Sequence, residues 1–492
     1  MHSSWEKLPF RRTFVSWLKL IDSRPIFFAK PLYGTARLDN DNEANRLSAR
    51  ATRYARLGVN AGALAARVGV NRLRGGGRET DAKALASALG SMKGPLMKVA
   101  QMLTTIPDAV PADFAAELTK LQSQAPPMGA SFVRRRMQAE LGPDWRERFA
   151  DFDLKPAAAA SLGQVHRAQS LGGDRLACKL QYPDMASAVE TDLSNLDLLF
   201  SFHRRASAAI DTREMAREIR ERVREELDYQ REGKIARLYR VMLADRPFVR
   251  VPWVDESLST RRLLTMQWLD GEPLVAFESA PQQIRDAIAV GLFDAWWRPF
   301  LRYGVIHGDP HLGNYTVAAS SEGEKRSVDG VNLFDYGCVR VFRPRFVLGV
   351  VELYRALEAN DKARIAHAYE MWGFRKLTPG TTEAMTIWAR FMCGPILDNR
   401  VRTAADGVKP SEYGRREIGQ VMRALRAEGG GLPVPREFVF LERATIGLGS
   451  AFLRLGARLN FHRMYEDTIA GFDEEGVARR QAGALKAVGL AE

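Results

Sequence analysis

Apolar and polar positions follow three rhythms along this chain. Residues 81–124 carry a helical pattern, opened by the strong helix formers Ala84, Leu85, Ala86, Ala88 and Leu89. Gly94-Pro95 starts a second helix there, since proline is tolerated in a first turn, and Pro126-Pro127 closes the region. Residues 165–168 and 176–181 read as two short strands, joined by the hairpin turn Gly172-Gly173-Asp174. From 212 to 242 the helical rhythm returns: Met215, Ile219, Val223 and Leu227 recur every four residues and predict one long helix. Residues 262–269 form a third apolar strand, stopped by Asp270-Gly271-Glu272-Pro273. Beyond Pro281 the pattern is mainly helical, with a strand-rich insert at 305–340.

These rhythms divide the 492 residues into an extension (1–77), a helical region (78–135), a small mixed lobe (136–268) and a larger, mainly helical lobe (269–492). The expected fold class is α+β and bilobed. Charge sharpens the first boundary, because residues 1–75 hold 14 Lys/Arg against 5 Asp/Glu and so carry most of the formal +13. Trp5, Phe10, Phe14 and Trp17 are interspersed with that charge. Such an extension suits an anionic membrane surface or a solvated arm. Nucleic acid is not expected, since no recognition motif accompanies the charge. Residues 57–70 are rich in Gly and Ala but are interrupted by Asn60 and Arg67, and no segment reaches the length of a transmembrane helix. Residues 1–30 lack the apolar run of a secretory signal. Three scattered cysteines, Cys178, Cys338 and Cys393, argue against a disulfide framework and for a reducing, cytoplasmic compartment.

The candidate chemistry concentrates in His307-Gly308-Asp309-Pro310-His311-Leu312-Gly313-Asn314 and in Phe334-Asp335-Tyr336-Gly337. An Asp with an Asn five positions on, then a second Asp near a Gly, is the layout of the catalytic and metal-binding loops of protein-kinase-like phosphotransferases. Asp309 is the candidate catalytic acid, while Asn314 and Asp335 are candidate Mg²⁺ ligands beside the phosphates of ATP. His307 and His311 are expected to structure the loop. A strand lysine must also hold the α/β-phosphates, and Lys179 in Ala177-Cys178-Lys179-Leu180 is placed to do so. The segment before it, residues 156–166, stands where a phosphate loop belongs but contains a single glycine, Gly163. Its alanine run, read alone, suggests the start of a helix.

Taken together, these motifs resemble the UbiB/AarF family of atypical kinases, which includes the mitochondrial coenzyme-Q kinase-like proteins. The resemblance runs from about residue 80 through the C-terminal helices. The family's AAAS loop is matched by Ala158, Ala159, Ala160 and Ser161, and its VAVKVQYP strand by residues 176–183. Its HADPHPGN loop is matched by residues 307–314, with Gly308 and Leu312 as departures. Its KxGQ motif is matched by Lys98-Val99-Ala100-Gln101 and its ExD motif by Glu226-Leu227-Asp228. The resemblance implies a protein-kinase-like fold with a KxGQ helix packed over the active site. There Lys98, with Gln101, would reach toward Glu226 and Asp228. It implies Glu232 as the partner of Lys179, on the same long helix as Glu226 and about 120° around it. It also implies a hinge at residues 266–269, with Gln267 and Leu269 against adenine. The implied activity is a Mg-ATP-dependent kinase or ATPase that serves ubiquinone biosynthesis or isoprenoid-lipid handling. Quinone-precursor lipids, quinone-biosynthesis proteins and the surface of the inner membrane would be its partners. Ala100 replaces the KxGQ glycine and adds a methyl where that helix should pack closely; Tyr336 replaces a Phe of similar shape.

Two other readings compete. Small-molecule phosphotransferases of the aminoglycoside/choline-kinase type share an HGDxxxxN-like loop but lack the KxGQ and ExD elements. A non-catalytic, nucleotide-sensing scaffold would use the same binding residues.

Overall fold

The computed structural model describes residues 128–160, 162–183, 224–308, 312–322, 325–374, 377–406 and 436–491, with single positions at 185, 189 and 420. The basic extension and the expected KxGQ helix lie outside the described residues.

Helix α1 (Ala130–Leu141) leads through Trp145 into a five-stranded antiparallel sheet. Its strands are β1 (Phe149–Phe152), β2 (Ala158–Ala160), β3 (Gly163–Ser170), β4 (Arg175–Gln181) and, after helix α2 (Tyr229–Met242) and the short β5 (Val249–Arg250), β6 (Leu263–Gln267). The order is β1-β3-β4-β6, with β2 folded back on the start of β3. Because side chains alternate between the two faces of a strand, β4 serves two cores. Leu176, Cys178 and Leu180 pack with α1, Trp145 and Phe149. Ala177 faces the other way, into a cluster with Tyr229, Leu264 and Met266, and Lys179 shares its parity. The strands expected at 165–168, 176–181 and 262–269 are all present, and the hairpin turn lies at 171–174.

The helix expected over 212–242 is a correction. Residues 212–223 lie outside the described residues, but the helix does not run on through the ExD motif. Arg224 and Glu225 are helical, Glu226 and Leu227 form a turn, and α2 begins afresh at Tyr229. Backbone partners explain the break. A continuous helix would bond the Tyr229 amide to the carbonyl of Glu225, but that amide donates instead to Arg261 O at 3.1 Å. Leu227 O accepts from the Gln181 side chain at 3.1 Å. Asp228 caps the new helix, accepting the Arg231 amide at 3.0 Å. Glu226 and Glu232 therefore do not share one helix, and the 120° separation expected from it does not apply.

The larger lobe is built on α3 (Gln282–Tyr303), which follows β7 (Glu272–Pro273) and buries Ile288, Leu292, Trp296 and Phe300. It ends at Gly304, whose φ of 64° is the left-handed C-cap that favours glycine. The chain turns directly into β8 (Val305–His307), which is fully buried. The hairpin of β9 (Tyr315–Glu322) and β10 (Lys325–Leu333) pairs Tyr315 with Leu333 at its open end. β11 (Val339–Val341) returns beside β8. Helices α4 (Pro344–Glu358), α5 (Lys362–Met371), α6 (Pro379–Cys393), α7 (Arg436–Leu455), α8 (Phe461–Ile469) and α9 (Glu474–Ala487) complete the lobe. Its core reaches up to α2, whose Ile235, Leu238, Tyr239 and Met242 belong to it. The α+β, kinase-like layout expected from the sequence is borne out.

Candidate active site

Lys179 projects from the face of β4 that looks at α2, and Glu232 stands on the first turn of α2 opposite it. The ammonium lies 2.7 and 2.9 Å from the two carboxylate oxygens, and both side chains are largely buried. Burial disfavours the ammonium, but the charges of Glu232 and then Asp335 outweigh it and hold Lys179 well above its ordinary value. Burial pushes the Glu232 carboxyl upward, against the pull of Lys179. The lysine thus stays charged at neutral pH.

Asp335 follows β10, and Asn314 precedes β9. The Tyr315–Leu333 pairing puts these neighbours at the same end of the hairpin, where the Phe334 amide donates to Asn314 O at 3.1 Å. Asp335 Oδ1 accepts the Gly337 amide at 3.0 Å. Its backbone carbonyl accepts from Nε2 of His307. His307 is buried beside Tyr239 and Trp296, so it has a structural role, as expected, and ties its segment to the loop that carries Asp335. Gly308 donates to Cys338 O at 2.6 Å, and a Cβ there would lie 2.9 Å from that oxygen. Glycine in place of the family's alanine suits this close approach. Asp309 and His311 lie outside the described residues.

The alanine run is extended, not helical. Ala158, Ala159 and Ala160 pair with Val165, Gln164 and Gly163 in a tight hairpin, the last pair flanking Ser161 and Leu162. Ser161 is outside the described residues; Leu162 is buried and its carbonyl accepts the Tyr182 amide at 3.0 Å. Gly163 is obligatory here, since a Cβ would fall 2.1 Å from Leu180 O.

In the segment expected to form the hinge, the Gln267 amide is bonded to Trp253 O and the Trp268 amide to Arg175 O, both at 2.8 Å, and Leu269 is buried. Arg167 stacks on Trp268 at 4.5 Å. Arg175 grips Asp270 at 2.5 and 2.7 Å. Asn332 Nδ2 donates to Asp270 O at 2.8 Å, tying the hinge to the β9/β10 sheet.

The ExD turn lies against the loop that carries Asp335: a Cβ on Gly337 would be 3.4 Å from Glu226 Cγ. Glu225, which the sequence reading passed over, pairs with Arg340 at 2.9 Å just beyond that loop. Its only sequence signal is adjacency to the ExD motif. Tyr229 was also missed. The structure therefore brings Lys179, Glu232, Asp335 and Glu226 into one electrostatic unit. Lys98 and Gln101 lie outside the described residues. The oxygen donors Asp335 and Asn314 suit a hard cation such as Mg²⁺.

A strand lysine paired with a helix glutamate, roofed by a β-hairpin and facing an acidic loop below, defines a protein-kinase-like enzyme. The ABC1 atypical kinase-like domain matches residues 120–369. Similar proteins include the rat (Rattus norvegicus) atypical kinase COQ8B, mitochondrial, 28% identical over 394 residues, which are 79% of this chain and 72% of the rat protein. The Caenorhabditis elegans atypical kinase coq-8, mitochondrial, is 30% identical over 299 residues, 60% of this chain and 39% of that protein. Among solved structures, the Rv3197–erythromycin complex from Mycobacterium tuberculosis aligns with a TM-score of 0.55 at 27% identity, covering 80% of this chain and 97% of that one. The chain belongs to the ABC1 atypical kinase-like family.

Proposed function

We propose that this protein binds ATP with Mg²⁺ between its two lobes and transfers or hydrolyses the terminal phosphoryl group. In this reading it supports ubiquinone biosynthesis or related isoprenoid-lipid handling. The observation that carries the reading is the buried Lys179–Glu232 pair, which faces Asp335. Lys179 would hold the α/β-phosphates, Glu232 would keep it aimed, and the Ala158–Ala160 hairpin would cover them, with Ser161 at its tip. Gln267 and Leu269 would border adenine. Asn314 and Asp335 would hold Mg²⁺, which neutralises phosphate charge when bound. Asp309 would orient or deprotonate the acceptor. Glu226 and Asp228 would answer Lys98 and Gln101 as a regulatory set.

Peripheral attachment to an anionic membrane surface is part of the same proposal. It rests on the positive charge of residues 1–75. Among the described residues no helix is long and apolar enough to cross a membrane. The similarity to the mitochondrial atypical kinases COQ8B and coq-8 supports the pathway reading.

The deciding experiment profiles quinones and their precursors in a deletion strain rescued by wild type or by Asp335→Asn, beside ATP turnover of both purified proteins. Rescue and turnover by wild type alone support the reading. An unchanged quinone profile on deletion removes the pathway, and equal turnover of the two proteins removes the metal assignment.

A further inference from the structure

Tyr229 stands inside the site, and none of the roles above uses it. Its ring is 1% exposed and packs with Ala177, Leu264 and Met266, the apolar wall between the sheet and the start of α2. The Lys179 ammonium lies over this ring, 4.9 Å from its centroid, within the range of a cation–π contact. The same ammonium is bonded to Glu232 at 2.7 Å. Lys179 is therefore held from two sides, by a carboxylate and by an aromatic face.

The hydroxyl is the unexplained part. It is buried and has no hydrogen-bond partner among the described residues. It lies beside the turn end of the alanine hairpin, because a Cβ built on Gly163 would come within 3.0 Å of the oxygen. Burial disfavours the phenolate, so the group is an O–H donor. Phenylalanine would fill the same space and offer the same ring to Lys179 without leaving a buried donor unpaired. The hydroxyl costs stability unless something supplies an acceptor.

We propose that Tyr229 is a phosphate-binding residue, its hydroxyl donating to a phosphate oxygen of the nucleotide held by Lys179 beneath the Ala158–Ala160 hairpin. The inference rests on the reading of this site as an ATP site. It assigns the residue after the ExD motif to the nucleotide, while its neighbour Asp228 caps the helix that carries both Tyr229 and Glu232. An anion suits the position, since it sits beside the ammonium and within reach of a protonated donor. The adenine and ribose have no part in the contact.

Full-length wild type, Tyr229→Phe and Tyr229→Leu are compared for binding of MgATP and of adenosine by calorimetry, with melting temperatures measured without nucleotide. Tyr229→Phe is expected to weaken MgATP by about tenfold, the effect of one hydrogen bond to a charged acceptor. It should leave adenosine binding unchanged and melt at the wild-type temperature or above it. Tyr229→Leu should lose more MgATP affinity, because Lys179 also loses its aromatic support. Wild-type MgATP affinity in Tyr229→Phe overturns the proposal. So does an equal loss for MgATP and adenosine, which would make Tyr229 a packing residue. Folded wild-type protein that binds no MgATP overturns the ATP-site reading itself, an outcome visible before any variant is made.

Discussion

The Lys179 ammonium faces both oxygens of the Glu232 carboxylate, at 2.7 and 2.9 Å, across the gap between β4 and α2. The two residues come from elements with different allegiances. β4 packs its other face into the small-lobe core. The apolar side of α2 belongs to the core of the larger lobe. The ion pair therefore ties the small-lobe sheet to a helix whose apolar side packs on the larger-lobe core. A buried pair of this kind stabilises little relative to an apolar replacement, yet costs much when one partner is removed.

That asymmetry separates chemistry from folding. Lys179→Met leaves a buried carboxylate and Glu232→Gln a buried ammonium, and each is expected to cost about 3–5 kcal/mol in chemical denaturation. The double variant should recover most of that stability, because neither member of the pair is left buried and charged. ATP turnover should be lost in all three. A double variant as unstable as the singles would show that the pair does not act as a unit. Turnover restored in it would take Lys179 out of the chemistry.

Gly163 tests the alanine hairpin. A Cβ there would fall 2.1 Å from Leu180 O, and backbone cannot yield as a flexible side chain can. Gly163→Ala is expected to destabilise by about 1–3 kcal/mol and to weaken nucleotide binding by displacing β2. Ala159→Gly, on an exposed strand position, should leave the hairpin in place at a cost of roughly 0.5–1 kcal/mol. Equal melting temperatures for Gly163→Ala and wild type would contradict the close approach.

What the sequence made legible follows the range of the interactions involved. The β3/β4 hairpin could be read because Gly172-Gly173-Asp174 and the alternation of Leu176, Cys178 and Leu180 are local. The two candidate loops stood out as motifs from their spacing, and the structure joins their backbones through the Phe334 amide and Asn314 O, with Asp309 outside the described residues. The break at Glu226–Asp228 was hidden. The four-residue rhythm runs through Leu227, while the partners that stop the helix, Gln181 and Arg261, are far away in sequence. The alanine run likewise looked helical because alanine favours helices, and only pairing with β3 makes it extended. Tyr229 carried no motif signal, since its partner Lys179 is fifty residues upstream.

His166 gives the small lobe a pH dependence. The ring is buried, stacked on Phe152, with Nδ1 donating to Asp153 O and Nε2 accepting from the Gln164 amide, both at 2.8 Å. Burial holds its pKa below the usual 6.5, with Asp153 opposing. The neutral form is favoured in the folded protein, so its stability is intact above about pH 6.5 and falls as the pH drops through the lowered folded value. Melting temperatures are expected to decline from pH 7 to 5.5, and less steeply in His166→Gln, which keeps a donor and an acceptor without titrating. Equal slopes for the two proteins would assign the decline to other groups.

Asp228 allows the structural and regulatory parts of the ExD motif to be separated. Its carboxylate caps α2 through the Arg231 amide, and α2 carries both Tyr229 and Glu232. Asparagine caps nearly as well as aspartate, whereas alanine does not. Asp228→Asn should therefore keep wild-type stability, and Asp228→Ala should lose about 1 kcal/mol along with some ATP affinity as the first turn of α2 frays. Glu226 lies against Gly337 of the loop that carries Asp335. Glu226→Gln should alter ATP turnover through the charge beside Asp335. If Asp228→Asn changes turnover as much as Glu226→Gln does, with its cap intact, the aspartate charge belongs to the site as well as to the helix. If neither changes turnover, the motif acts through the backbone turn that starts α2.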